Sequence, residues 1–367
     1  MIDGMFVIDA TVHAYNLEDR NLRSPDPHTG LYSYALREML WKLHERYAPD
    51  GHRIPQSAFF TDWSPESLAR TLFLESDIDM AVHHRLRIDS LFDDGLVRGE
   101  KNRELAERWP ERFVIYAGVN PLDGIDACLR DLREQVEAIP ETIGLKLYPT
   151  SGSPDASWRL DDPEFAPLFE LAVELGLKVI AVHKVVPNGL VPMKPFGIDD
   201  LEVVAVRYPL LWEIVHAGLP PFVEEVSLAL MRYPNVYANL EISSALLQGG
   251  VGYVQDALAQ FISLGGAEKI FFSTGANHFH PQPIVKCLAE LQFPQQTLDR
   301  YGLDQITREQ RQGILGANYA SVVGLDLEAA GKRIADDEFA RARAGGPPLP
   351  AWSSWSESEP AWAEGAR

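Results

Sequence analysis

Residues 163–183 read PEFAPLFELAVELGLKVIAVH, a stretch with apolar residues at i, i+3 and i+4 spacing followed by a short β-branched run that ends in histidine. The first half predicts an amphipathic helix and the second a buried strand. The same unit recurs on both sides of it. Strand candidates fall at 6–13 (FVIDATVH), 78–84, 112–119, 143–148, 178–183, 211–216, 236–241 and 269–274, with further helix candidates at 221–232 and 251–264. Short continuous apolar strands separated by helices mean a parallel sheet covered on its outer face. Eight such strands are what a closed (β/α)8 TIM barrel requires. The expected class is therefore α/β, with residues 1–343 as one barrel domain.

Three departures from the bare repeat stand out. The first strand is followed by a long excursion, 14–62, before the first repeat helix begins at the Ser64-Pro65-Glu66 cap. A connection of that length on the C-terminal face of a barrel is expected to form a lid or a pocket wall. Its aromatic residues Tyr15, Tyr32, Tyr34 and Trp41 suit a small core of its own better than a clamp on an aromatic substrate. Past the eighth unit, 307–316 reads as a closing helix, with 318–325 packing its end. Finally, 344–367 is rich in Pro, Ser, Glu and Trp. Disordered polar tails rarely carry tryptophan, so Trp352, Trp355 and Trp362 are expected to hold this tail against the body or a neighbouring subunit.

The chain has 367 residues, and 33 Lys+Arg against 53 Asp+Glu give a formal charge of −20. Phosphate contacts need a basic face, so nucleic acid and anionic membranes are excluded as partners. No apolar run reaches the roughly 18 residues of a membrane span. The opening Met1-Ile2-Asp3-Gly4 is acidic and leads straight into a strand, without the basic and apolar regions of a secretory signal; cytoplasmic residence is the expectation. Cys128 and Cys287 lie far apart in helix-like stretches and read as buried apolar residues.

Active-site side chains of a barrel come from the C-terminal ends of its strands. Those ends present Asp9-Ala10-Thr11-Val12-His13, His83-His84, Asn120, Lys146-Leu147-Tyr148, His183, His216, Asn239 with Glu241, and Ser273-Thr274-Gly275. Strand residues are normally Val, Ile and Leu, so His13, His183 and His216, three of the ten histidines, are hard to explain as packing. Neutral imidazole is the commonest metal ligand and the natural proton carrier near pH 7. His83 and His84 are adjacent, so only one of them points into the barrel.

Taken together, VIDATVH, ERFVIYAGVNP, GLKLYP, LGLKVIAVH, IVHAGLP, PNVYANLEISS, KIFFSTGANHFHP and ILGANYASVVGL resemble, in order and spacing, the amidohydrolase-related family typified by aminocarboxymuconate-semialdehyde decarboxylase and the resorcylate-type decarboxylases. The likeness covers nearly all of 5–325. It implies a divalent metal, usually zinc, held by an Asp-x-His-x-His motif on the first strand, a histidine ending the fifth and an aspartate ending the eighth, with a sixth-strand histidine handling the metal-bound water. Carried over, the metal ligands are His13 and His183, and the acid/base is His216. Two positions depart: Thr11 stands where the first histidine belongs, and Gly275 where the aspartate belongs. Glycine ligates nothing, and a threonine hydroxyl is a poor zinc ligand. His278 and His280 are candidate substitute ligands.

Three functions follow. The first is a lyase that performs decarboxylation, hydration or retro-aldol cleavage on a carboxylated aromatic-derived or polyketide-like compound. His216, His183 and Lys146 would be its catalytic residues, and the site would work without a tightly bound metal. The second is a zinc-dependent hydrolase built on His13, His183 and His216. The third is a non-catalytic binding homologue. Substrate contacts are expected from His84, Arg85 or Arg87, Tyr148, Glu241, Asn277, His278 and His280. Lys146 either meets substrate or pairs with a barrel carboxylate such as Glu241, and Asp9 is expected to orient a histidine. Members of the family are usually dimers, so a homodimer is the expected assembly.

Overall fold

The structure is a computed structural model that describes residues 1–23, 31–150, 156–343 and 346–353. The strands are β1 (Ile8–Val12), β2 (Met80–His84), β3 (Phe113–Gly118), β4 (Gly144–Leu147), β5 (Val179–His183), β6 (Leu211–Val215), β7 (Val236–Asn239) and β8 (Ile270–Phe271). They lie side by side in chain order, and every neighbouring pair is parallel. The ends meet: the Ala10 amide donates to Phe272 O at 3.0 Å, the Gly275 amide to Thr11 O at 3.0 Å, and Val12 bridges Ala276. The sheet is thus a (β/α)8 TIM barrel, as the alternation of strand and helix patterns predicts.

Side chains alternate across each strand, and the cores divide accordingly. Ile180 and Val182 join the large cluster under the helices, while Val179 and Ala181 join Ile8, Ala10, Met80, Val82, Tyr116 and Val215 in a second cluster. At Gly144 a Cβ would stand 2.5 Å from the Tyr116 ring, so a glycine is needed for that ring to cross the strand.

The excursion after β1 contains the helix Leu31–Tyr47, and the first repeat helix, Pro65–Phe73, begins where Ser64 accepts from the Ser67 amide at 3.0 Å. The lid has its own core of Tyr15, Leu17, Leu36, Leu40, Phe59 and Trp63. Two histidine bonds tie it to the loop after β8: His44 Nδ1 donates to His278 O at 2.8 Å and His278 Nε2 donates to Leu40 O at 2.8 Å. Trp352 is buried in the same core. Its indole lies 5.6 Å from Trp63 and its Nε1 donates to His52 O at 2.8 Å, while its amide donates to the buried Glu75 at 2.7 Å. Trp355 and Trp362 lie outside the described residues. Among the described residues no helix is long and apolar enough to cross a membrane.

Candidate active site

The strand ends bring four groups to one floor. His13 follows β1, His183 ends β5, His216 follows β6 and Glu241 lies two residues beyond β7; all four are buried. His13 Nε2 is 3.0 Å from Glu241 Oε1, and its Nδ1 is 3.3 Å from His84 O. His183 Nε2 faces only the Val186 carbonyl, at 2.7 Å, and so carries a proton and donates it. Its Nδ1 is 3.0 Å from His216 Nε2, and His216 Nε2 is 3.7 Å from Glu241 Oε2. His216 Nδ1 stands 3.3 Å from the Glu241 carbonyl. The result is an unbroken line of groups, His13, Glu241, His216 and His183.

Glu241 lies against Gly275, the position at which the family resemblance implies an aspartate. A Cβ on Gly275 would lie 3.2 Å from both Cγ and Oε1 of Glu241, and Gly275 has φ +68°. The carboxylate from the end of β7 therefore fills the space that a side chain at the end of β8 would need. Sequence reading placed Glu241 beside substrate or Lys146 and missed this exchange. The signal was there in principle, as a lost carboxylate at one strand end and a carboxylate at the next.

Burial works against the charge of Glu241, but the imidazoles of His216 and His13, with Lys146, outweigh it and hold the carboxyl well below its usual range. Burial pushes His216 down to about 4 and His183 well below its ordinary value. At neutral pH the floor thus holds a carboxylate beside a neutral imidazole pair. Lys146 is lowered to about 8 by burial, with Glu241 and Glu213 opposing. Its Nζ has no hydrogen-bond partner and sits 5.3 Å from the Tyr148 ring centroid.

Above the floor is a cavity of about 310 Å³. His183, His216 and Glu241 form its polar end, and the lid supplies Tyr15, Leu36, Met39, Leu40, Leu43 and Tyr47. Tyr15 stacks on His13 at 5.0 Å and Tyr148 on His183 at 4.5 Å. Burial, then the nearby Glu241 charge, raises both phenols well above 10, so both hydroxyls stay protonated.

Other sequence candidates lie elsewhere. His84 is under His13, its Nε2 donating to Ala10 O at 3.0 Å and its ring stacked on Tyr116. Arg85 and Arg87 turn away and pair with Asp131, Arg87 also with Asp89 and Asp123. His278 serves the lid, and His280 pairs with Glu75 at 3.1 Å. Asn277 is buried with neither amide atom bonded. None of these lines the cavity. Asp9 accepts from the Thr11 and Thr274 amides at 3.3 and 3.0 Å, bracing the β1–β8 closure. Beneath the floor, Glu213 accepts from Tyr116 at 3.0 Å and Asn239 at 3.1 Å, a network the sequence reading did not find.

A family profile described as amidohydrolase matches residues 35–325. The chain belongs to the amidohydrolase family. No curated protein sequence matches it. Among solved structures it is similar to an uncharacterized TIM-barrel protein from Bordetella bronchiseptica, with TM-score 0.57 and 16% identity over 87% of this chain and 99% of that one. It is also similar to two 5-carboxyvanillate decarboxylases. One is from Sphingomonas paucimobilis, at TM-score 0.53 and 15% identity over 88% and 100% of the two chains. The other, from Novosphingobium aromaticivorans and bound to manganese, has TM-score 0.54 and 13% identity over 88% and 98%. These identities show a shared fold.

The family's divalent metal can be tested against the donors present. The Thr11 hydroxyl is engaged, donating to Ala10 O at 2.8 Å and accepting from Asn239 at 2.9 Å, and Gly275 has no donor. The inner nitrogens of the three histidines are taken by Glu241 and by one another. Among the described residues no three His, Cys, Asp or Glu side chains are grouped as metal ligands. The arrangement does not fit a family-type ion without rebuilding these contacts.

Proposed function

We propose that the protein is a lyase that makes or breaks a C–C or C–O bond beside a carbonyl, with Glu241 as its base and without a tightly bound metal. The observation that carries this reading is the Glu241 carboxylate itself. It occupies the space over Gly275, one oxygen is held by His13, and the other has no partner in the protein. In the cycle Glu241 Oε2 takes a proton from the substrate, and negative charge develops on the carbonyl oxygen. The phenols of Tyr15 and Tyr148 donate to that oxygen. Glu241 then returns that proton to the departing or newly formed group, with His216 beside it, 3.7 Å from Oε2 and 3.0 Å from His183 Nδ1. A positioned base supplies about 10²- to 10⁴-fold and one oxyanion donor about 10²- to 10³-fold.

Strained backbone supports a working site over an inert scaffold. Val185, His216 and Ile242 have φ of +71°, +69° and +65°, each costing on the order of 1–3 kcal/mol, and each lies within two residues of a floor group. The test is turnover of a panel of β-hydroxy ketones and enones in the presence of a chelator. Glu241→Gln and Tyr148→Phe should each lower kcat about 100-fold or more. Full activity in Glu241→Gln, or loss of wild-type activity on chelation, would defeat the reading.

One observation favours a divalent-metal hydrolase as the second reading. Each of the three imidazoles turns its outer nitrogen to a main-chain carbonyl, of His84, Val186 or Glu241, which is how metal-bound histidines are oriented.

A further inference from the structure

We infer that the substrate is a neutral, largely apolar ring compound that carries no carboxylate. The inference rests on the proposed acid–base reading and narrows it, since it removes decarboxylation from the reactions open to the site. It starts from the charges around the cavity. None of the described residues that line it is Lys or Arg, and Glu241 is the one acidic residue among them. The arginines that sequence reading offered as a carboxylate clamp, Arg85 and Arg87, are committed to Asp131, Asp89 and Asp123 outside the cavity.

Lys146 does not supply the missing cation. Its Nζ is buried and the residue is not part of the cavity lining. A substrate carboxylate would enter an apolar chamber in which no described lining residue is a cation, beside the carboxyl group of Glu241 on the floor. Burying an unpaired charge in such a place is strongly unfavourable, and a like charge nearby adds to the cost.

The walls suit the opposite kind of molecule. Leu36, Met39, Leu40, Leu43, Leu219 and Leu246 present aliphatic surface, while Tyr15 and Tyr148 offer ring faces with a hydroxyl each. A ring compound held between these walls can point a carbonyl or hydroxyl at the phenols and Glu241, and at Asn188, whose buried Nδ2 has no partner. A volume of about 310 Å³ is at the small end for small-molecule sites; a free compound of a few rings fits it, and a bulky conjugate does not.

The test is binding, which needs no turnover. Isothermal titration calorimetry at neutral pH compares 2-naphthol with 3-hydroxy-2-naphthoate, a pair that differs by one carboxylate. The naphthol should bind the wild-type protein, and the naphthoate on the order of 100-fold more weakly. Glu241→Gln should narrow that gap by about tenfold, because the repelling charge is gone. Met39→Trp, which fills the cavity from the lid, should abolish naphthol binding and so places it. Equal or tighter binding of the naphthoate, or no binding of the naphthol up to its solubility limit, would overturn the inference. Neither result bears on whether Glu241 is the base, which the turnover of Glu241→Gln decides separately.

Discussion

The exchange between Glu241 and Gly275 can be tested by moving the carboxylate back. In Gly275→Asp the new Cβ stands 3.2 Å from Cγ and Oε1 of Glu241, and the backbone sits at φ +68°. A non-glycine residue there costs about 1–2 kcal/mol. Two carboxylates about 5 Å apart at an effective dielectric near 20 add about 3 kcal/mol. The single variant should therefore lose about 4–5 kcal/mol. Glu241→Ala leaves His13, His216 and Lys146 around an empty place, and removing one member of a buried charge set costs about 3–5 kcal/mol. If the two sites were independent, the double variant would lose about 7–10 kcal/mol. Because the aspartate can occupy the place Glu241 vacates, the double variant should lose only about 2–4 kcal/mol, a coupling of at least about 3 kcal/mol. Urea denaturation of the four proteins measures the cycle. Additivity within about 0.5 kcal/mol would show that the two positions do not share one space, and the reasoning would fail.

Two further outcomes follow from burial. His44 and His216 are held at about 4, His83 and His278 at about 3, and His84 and His183 well below their ordinary value, all by burial first, so the unfolded chain takes up protons on six rings below the ordinary value near 6.5 while the fold does not. Asp9 and Glu213, raised to about 7 by burial, bind protons in the fold first and oppose this. Six against two leaves about four extra protons on the unfolded state, so stability should fall by roughly 5 kcal/mol per unit as pH drops from about 6 to 5; urea midpoints that stay flat or rise would contradict it. Trp352→Ala should cost about 3–5 kcal/mol and expose the lid helix to limited proteolysis before the barrel, whereas unchanged thermal stability would show that the tail does not brace the lid.

The barrel was legible because each strand is a short apolar run bounded by turn residues, and the strand ends His13, His183 and His216 broke that pattern where barrel chemistry occurs. Boundaries were less so: the run 269–274 yields only Ile270–Phe271 as strand, since Ser273 and Thr274 bond to Asn239 and Asp9 side chains. The role of Glu241 was not legible, because it depends on which of two neighbouring side chains fills one space, a fact of packing with no local signature. Arg85 follows β2 directly, yet the ribbon Leu86–Arg87 and Leu96–Val97 carries it outward. His278 and His280 are drawn into holding the lid and Glu75, a pull that only the folded lid exerts.

The central claim is that a proton network anchored on Glu241 has taken the place of the family's metal. Elemental analysis of protein purified from medium supplemented with zinc and manganese tests it most directly. The account predicts divalent metal well below one equivalent per chain, unchanged by His13→Ala or Glu241→Gln. One equivalent of zinc or manganese, lost in both variants, would contradict it and establish the metal-dependent reading.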